Sequence, residues 1–462
     1  MAGREGRKRR DQFTRFYAQF LSPGDLGDQP APRTNAEELN PHSLMDTPET
    51  TLENPRAAPR GLEAGETTGT RSVRISRTLD QVYSLRDTWT RFQSHPNSDI
   101  DYYLTVAQCR PEILRPHVLA VTSKGTPETI LVGRVENTRL ELKVGYKTLP
   151  GPRVRCLTLI QAGLLGNASN ENCSELVGSI WKSLSEGEAD LACFHHLKVD
   201  SPLYRTALDV PGILSRDWFP VTNQHWRIRV PSSFEELCQG LSPNTRHNLR
   251  RYPARLRKAF GKDLVVRSFK DTTHREQLFT DTEAVAAKSY HRGLGVGFIN
   301  NPETSRLISL ALDRGWFRAY ILYLRGTPCA FWNGLRYGNT FFTGTTAYDF
   351  TYHQFRPGTF LFQTMLEDLC HEGGIEAVDF GLGDAQYKRD WADDNWQESS
   401  VYMFAPTLRG LPLSALRASL MLPDRLARRV LIQTGLLANA KRIWRDRLRK
   451  TAVQSAVRDE TT

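Results

Sequence analysis

The 462-residue sequence has no CxxC pair, and its seven cysteines, at 109, 156, 173, 193, 238, 329 and 370, stand far apart. An odd, scattered set excludes a disulfide framework and a thiolate zinc site, and it fits a reducing compartment. A membrane-spanning helix needs about 18 consecutive apolar residues, and the longest nearly apolar stretch, "CLTLIQAGLLG", is too short. An Arg9-Arg10 pair near the start lacks the sustained apolar segment that an export signal places behind it. These absences predict a cytoplasmic protein.

Positive charge is missing where a general nucleic-acid binder would carry it. The net charge of +10 sits at the ends, +4 in residues 1–20 and +8 in 407–462, which leaves −2 for the body. Nucleic acid is therefore not the expected partner. Residues 21–72 have no aromatic side chain and are rich in Pro, Thr, Glu and Gly. Such a segment cannot bury enough apolar surface to offset chain entropy, so residues 1–71 are expected to form a disordered leader.

Globular patterning starts at "SVRISRTLDQVYSLRDTWTRF", a strand followed by a helix with Val82, Leu85, Trp89 and Phe92 at helical spacing. Strands follow in "HVLAVTS", "TILVGRVE", "RLELKVGY" and residues 157–165, then a helix in "ENCSELVGSIWKSLSEG" and a strand in "ADLACFHHL". Later, "WFRAYILYLRGTPCAFWNGLRYGNTFFTGTTAYDF" reads as three strands turned at Arg325-Gly326 and Gly338-Asn339. The helix "TFLFQTMLEDLCHEGG" comes next, with Phe362, Met365, Leu366, Leu369 and Cys370 on one face and Gly373 as its end, and then the strand "IEAVDF". The repeated order predicts an α+β fold of two tandem modules, residues 72–230 and 231–406, before a basic amphipathic helical tail over 407–462.

Between the modules, "LSPNTRHNLRRYPARLRKAFGK" offers Ser242 as N-cap and Pro243 as first helical residue, and aligns Arg246 with Arg250. Pro253 is expected to end or kink that helix, since an interior proline costs about 3 kcal/mol.

The ordered set "LSPNTRHNLRR", "TAYDFTYHQFRPGTF" and "VDFGLGDAQYKRDW", with the earlier "DTWTRFQSHPNSDIDYYL", resembles the GNAT-like acetyltransferases of the CelD/BcsL group, associated with cellulose biosynthesis. The likeness spans roughly residues 75 to 405 and implies a double-GNAT fold. It also implies acyl transfer from acetyl-CoA or another acyl-CoA, without a metal. The acceptor implied is a hydroxyl or amino group of a carbohydrate or glycan precursor, in cellulose or exopolysaccharide biosynthesis and in contact with a polysaccharide synthase complex. Two positions depart from the family pattern: Arg356 stands where serine is usual, and Pro253 interrupts the basic helix.

A GNAT-like site sets the donor pyrophosphate on a helix start, here Arg356-Pro357-Gly358-Thr359, where glycine allows close approach, threonine can cap and arginine adds charge. Asp384, Tyr387 and Lys388 are the expected catalytic groups. A tyrosine hydroxyl can protonate a departing thiolate, and a carboxylate can orient or deprotonate the acceptor. Arg246, Arg250, Tyr348, Asp349 and Asp379 are expected on the substrate side. The competing account makes Asp384 and Lys388, four apart, a local ion pair. His195-His196 mark the matching strand end of the first module, but two adjacent imidazoles without further ligands do not make a metal site.

Two other functions fit the same residues. One is an aminoacyl-tRNA-dependent transferase holding RNA on the 246–262 cluster and the tail. The other is a non-catalytic GNAT-like module that binds a glycan or regulates a synthase. The leucine- and arginine-rich tail either packs on the body as helices or attaches the protein to the inner face of an anionic membrane.

Overall fold

The computed structural model describes residues 71–144, 147–289, 292 and 297–433. Apart from Arg71, the expected leader lies outside the described residues, as does the tail beyond Gln433. The first half contains β1 (Ser72–Ser76), α1 (Leu79–Tyr83), α2 (Arg86–Phe92), α3 (Ile100–Cys109), β2 (Ile113–Pro116), β3 (Val118–Ser123), β4 (Thr126–Arg139), β5 (Leu142–Val144), β6 (Lys147–Leu149), β7 (Arg153–Gly166), α4 (Asn170–Ser185), β8 (Leu191–Lys198), α5 (Pro202–Asp209) and β9 (Val221–Arg229). The second contains α6 (Phe234–Gln239), α7 (Pro243–Phe260), β10 (Leu264–Phe269), α8 (Arg275–Ala287), α9 (Pro302–Asp313), β11 (Phe317–Leu324), β12 (Thr327–Tyr337), β13 (Thr340–Tyr348), α10 (Pro357–Glu372), β14 (Ala377–Leu382), α11 (Gln386–Trp391), β15 (Asp394–Phe404) and α12 (Gly410–Gln433).

Among the described residues, thirteen strands form one sheet in the order β1-β3-β4-β7-β8-β15-β9-β14-β13-β12-β11-β10, with β2 on β4. The halves exchange strands at its centre: β9 lies between β14 and β15, antiparallel to both, and β15 in turn pairs antiparallel with β8. Both faces are covered. In β11, Tyr320, Leu322 and Leu324 join a core with α7 and α10, while Ala319, Ile321 and Tyr323 join one with α8 and α9. That is why "FRAYILYL" reads as a continuous apolar run rather than an alternating one. The turns at Arg325-Gly326 take the expected left-handed backbone, φ 52° and 75°.

Helix α7 starts as its sequence predicts, with Ser242 Oγ accepting the Thr245 N–H at 3.2 Å. Of the two outcomes expected at Pro253, an end or a kink, the end does not occur, and the helix continues to Phe260. Leu249, Pro253 and Leu256 are buried against the α10 core. Burying two leucines is worth about 1.5–3 kcal/mol each, enough to offset the proline's cost of about 3 kcal/mol. At the other end of the chain, α12 packs Leu413 and Leu420 on the first half, and its buried Arg417 meets Asp217 Oδ2 at 3.4 Å.

Residues 93–110 of the first half are docked on the second. Tyr337 Oη donates to Asp99 Oδ2 at 2.8 Å, and the buried Arg110 meets Glu303 Oε1 at 2.6 Å. The His95 ring abuts Phe342 edge-on at 4.5 Å.

Candidate active site

The site begins where two parallel strands part. β13 and β14 pair only over Thr340–Phe342 and Ala377–Asp379, yet run on to Tyr348 and Leu382. Each is held on its far edge, β13 by β12 and β14 by β9, with register shifts at Trp332/Gly334 and Asp379/Gly381. Beyond the last pair, the Asp379 carboxylate itself accepts the Gly381 N–H at 2.7 Å, with Gly381 at φ +66°. A carboxylate thus meets a backbone N–H at the irregularity in register, where Gly381 stands opposite Trp226 of β9.

Alternation along β14 sends Val378 and Phe380 into the α10 core and turns Asp379 to the opposite face. There it heads a buried polar row across three strands. His225 Nε2 on β9 lies 2.8 Å from Asp379 Oδ1, and its Nδ1 lies 3.0 Å from Glu398 Oε1 on β15. The imidazole stacks on Trp396 at 4.2 Å, and the Trp396 indole N–H donates to Glu398 Oε1 at 2.8 Å. Burial alone would lower the His225 pKa, but the two carboxylates outweigh it and hold the group at about 9, an imidazolium at neutral pH. Burial would raise Asp379, yet His225, His95 and the Gly381 N–H keep it below the ordinary carboxylate value. Glu398 is 7% exposed, and its Oε2 has no hydrogen-bond partner among the described residues.

His95 reaches this row from the first half. Its Nδ1 accepts the Asn97 N–H at 3.0 Å, which assigns the neutral Nε2–H tautomer. Desolvation lowers it to about 4 despite the charge of Asp379. The row therefore sets a neutral imidazole donor, a carboxylate and an imidazolium at one opening.

On the opposite face, α10 begins at an Arg356 in left-handed conformation, φ 54°, with no side-chain cap. Thr359, expected to cap, instead sits in the first turn and donates its N–H to the Arg356 carbonyl at 3.1 Å. Pro357 and Gly358 are buried beneath, and the Gly358 carbonyl accepts the Trp332 indole N–H at 3.2 Å. Arg257 lies over the Phe360 ring at 6.0 Å, Arg255 over Phe355 at 5.7 Å and Arg325 over Phe260 at 5.7 Å. Arg255 and Arg257, beside the residues on either side of Arg356, make this helix start cationic, which suits a phosphate-bearing group. The fit to the donor of an acyl-CoA-dependent reaction rests on that charge and on the parted strands.

The other expected residues divide. Lys388 is fully buried and donates to the Leu382 carbonyl at 2.6 Å and the Gly381 carbonyl at 3.4 Å. Desolvation lowers it to about 7 against the pull of Asp379 and Asp384. It makes no ion pair with Asp384, whose exposed carboxylate pairs with Arg389 instead. The i,i+4 geometry fails because α11 starts only at Gln386. Tyr387 is buried among Trp332, Phe362 and Phe380 rather than on an open loop. Asp349 binds the Thr351 N–H at 3.0 Å and Lys288 at 3.2 Å, and ties down the turn Phe350–Phe355; Tyr348 packs beside it. Arg250 lies near Cys238 and Glu367, about three turns down α10 from its start, and Arg246 is exposed one turn further along α7. The structure thus joins Asp379 and Lys388 at the opening, and leaves Asp384, Arg246 and Arg250 on the surface.

In the first half, β7 and β8 also part, after Leu159 and Phe194. Its helix start is closed by Ser169, whose Oγ accepts the Asn172 N–H at 3.2 Å. Here Ala192 and Phe194 face α4, and Cys193 turns to a face covered by Leu413 and Leu420 of α12. No group of metal-binding side chains occurs among the described residues, the His195-His196 pair included. An open hollow of about 570 Å³ over Thr272–Gln277 and Asp313 lies beyond the edge strand β10, four strands from β14.

Residues 243–389 match the family model of the acetyltransferase (GNAT) domain. The chain carries a GNAT acetyltransferase domain, and its class of enzyme is that of the N-acyltransferases. That domain spans α7, α10, β13, β14 and Asp379, and it implies an acyl-CoA co-substrate. No curated protein matches the chain. Among solved structures, it is similar to FemX (9% identity, 72% of this chain and 98% of that one, TM-score 0.49). It is also similar to a tandem GNAT protein from the clavulanic acid biosynthesis pathway (11%, 73% and 99%, 0.42). A third is a GCN5-related N-acetyltransferase from Sphaerobacter thermophilus (9%, 72% and 96%, 0.37). Likeness of this degree says nothing of donor or acceptor.

Proposed function

We propose that the chain moves an acyl group from an acyl-CoA thioester to an amino or hydroxyl group at the opening between β13 and β14. One observation carries the reading: a parted parallel strand pair has a cationic, uncapped helix start on one side and the Asp379–His225–Glu398 row on the other. The unpaired edges of the strands offer backbone groups to the amides of the donor arm. Arg255, Arg257 and Arg356 meet its phosphates.

The acceptor heteroatom attacks the thioester carbonyl carbon, the carbon–sulfur bond breaks, and the thiolate leaves. Asp379 receives the acceptor's hydrogen; on an amine, that hydrogen becomes strongly acidic as the amide bond forms, so a carboxylate of low pKa suffices. The His95 Nε2–H supplies a donor for the carbonyl oxygen. The thiolate takes its proton from solvent at the opening, since the Tyr387 hydroxyl is enclosed in the α10 core. The CelD/BcsL resemblance directs the acceptor search to glycan precursors, and a polysaccharide synthase is the partner to test.

A second reading is favoured by α7, whose Arg246, Arg250, Arg251, Arg255 and Lys258 are exposed along one helix. It places an aminoacyl-tRNA on that helix as donor. Thermal shift separates the readings: acetyl-CoA or free CoA at a hundred times its Kd stabilises the folded state by about 2.7 kcal/mol. No shift with any CoA species, together with steeply salt-dependent tRNA binding, replaces the first reading by the second.

A further inference from the structure

The segment between α5 and β9 leaves large apolar side chains in solvent: Ile213 is 67% exposed, Leu214 68% and Trp218 47%, flanked by Val210 and Val221. It is a braced platform. The Trp218 indole N–H donates to the Ile213 carbonyl at 3.0 Å, and the Ser215 N–H donates to the Gly212 carbonyl at 2.9 Å. The Arg216 guanidinium reaches the Asp209 and Pro211 carbonyls and lies over the Trp218 ring at 5.9 Å. Below, Phe404 donates its N–H to the Ser215 carbonyl at 2.9 Å, and the buried Asp217 takes the Tyr402 N–H at 3.1 Å. A loop fixed this firmly could have turned its apolar groups inward, yet it holds them out.

The Asp217–Arg417 ion pair joins this platform to α12, where Leu416, Leu422 and Leu426 are also exposed. Arg425, Arg428 and Arg429 follow in sequence, and residues 434–462 beyond add seven basic and three acidic residues. Apolar tips with a tryptophan, joined to a helix whose sequence turns basic towards its end, are the pattern that enters a lipid headgroup layer.

We propose that this face docks on an anionic lipid bilayer, with Ile213, Leu214 and Trp218 entering the headgroup region and the basic residues of the C-terminal sequence supplying the attraction to anionic lipids. The docking is independent of the acyl-transfer reading.

The test is co-sedimentation of the full chain with vesicles of phosphatidylcholine, with and without phosphatidylglycerol. It uses wild type, the triple variant Ile213→Ser/Leu214→Ser/Trp218→Ala, and a chain truncated after Gln433. Wild type is expected to pellet only with phosphatidylglycerol present. The triple variant, with an unchanged melting temperature, is expected to lose binding at least about tenfold, as loss of buried apolar contact requires. The truncated chain is expected to bind more weakly and with less dependence on salt. A triple variant that pellets like wild type, or a wild type that never pellets at low salt, overturns the proposal. Tighter binding after truncation would mean that residues 434–462 cover the platform, and self-association lost in the triple variant without any vesicle binding would make it a protein interface. Either result overturns it too.

Discussion

His225 and Lys388 are buried bases beside the same carboxylate, and they drive the pH dependence of stability in opposite directions. His225 is raised from 6.5 to about 9, so between those values the folded protein holds a proton that the unfolded chain lacks. Its stabilisation is complete below pH 6.5, falls by about 1.4 kcal/mol per pH unit, and is gone once pH passes 9. Lys388 is lowered from 10.5 to about 7, so the folded protein there lacks a proton that the unfolded chain holds. Its contribution rises with pH at the same slope from 7 to 10.5. Between pH 7 and 9 the two slopes cancel, and these groups together leave wild type flat. His225→Gln exposes the lysine: relative to wild type, stability should climb by about 3 kcal/mol from pH 7 to 9. Lys388→Met exposes the histidine, and stability should fall by about 3 kcal/mol over the same interval. Urea unfolding of the three proteins at pH 7, 8 and 9, at constant m-value, measures this directly, because every other titrating group is common to all three. Three parallel curves would refute the assignment of His225 as an imidazolium and of Lys388 as a desolvated amine.

Asp379→Asn should lower turnover by roughly 10²–10⁴-fold, whereas Asp384→Asn should leave it within a few-fold, since Asp384 is exposed, paired with Arg389 and reaches Lys388 only through its charge; steady-state kinetics with the first competent acceptor decides. Arg255→Glu with Arg257→Glu should weaken CoA binding by roughly ten- to a hundredfold at low salt, read by calorimetry, while the melting temperature of the free protein stays within a few degrees. Glu303→Gln should destabilise by about 1–3 kcal/mol in urea, because the buried Arg110 guanidinium loses the nearer of its carboxylates and keeps only the charge of Glu136.

The elements were legible where local chemistry and tertiary packing agree. The β11-β12-β13 meander shows in the apolar strands and in the glycines of its turns, and α10 shows in the spacing of Phe362, Met365, Leu366 and Leu369. Legibility failed where a neighbour distant in sequence decides. Pro253 reads as a breaker until Leu249 and Leu256 are seen packed under α7. Asp384 and Lys388 read as an i,i+4 pair until the helix is seen to begin two residues after the aspartate. His225 and Glu398 gave no signal as a site, because "VTNQHWRIR" and "DNWQESSVYMF" are ordinary polar strands until the sheet sets them either side of one another and next to Asp379. The available hint was a histidine beside a tryptophan in one strand and a tryptophan two residues before a glutamate in the other.

The strand exchange explains why the chemistry collects in one place although both halves have parted strands. β9 leaves the first half to pair with β14, and β15 leaves the second to pair with β8, so the seam of the sheet receives His225 and Glu398 from strands that neither half could place alone. At this seam a carboxylate on β14 meets an imidazolium from β9, and His95 closes over it from the first half. At the matching place on β8 the inward residue is Cys193, pushed well above its ordinary pKa by burial and covered by α12. A thiol so desolvated carries no charge to offer a substrate, and the helix leaves no access to it. The first half therefore contributes side chains and rigidity to the opening of the second, and separating the halves would remove His95 and His225 from Asp379 as well as break the sheet.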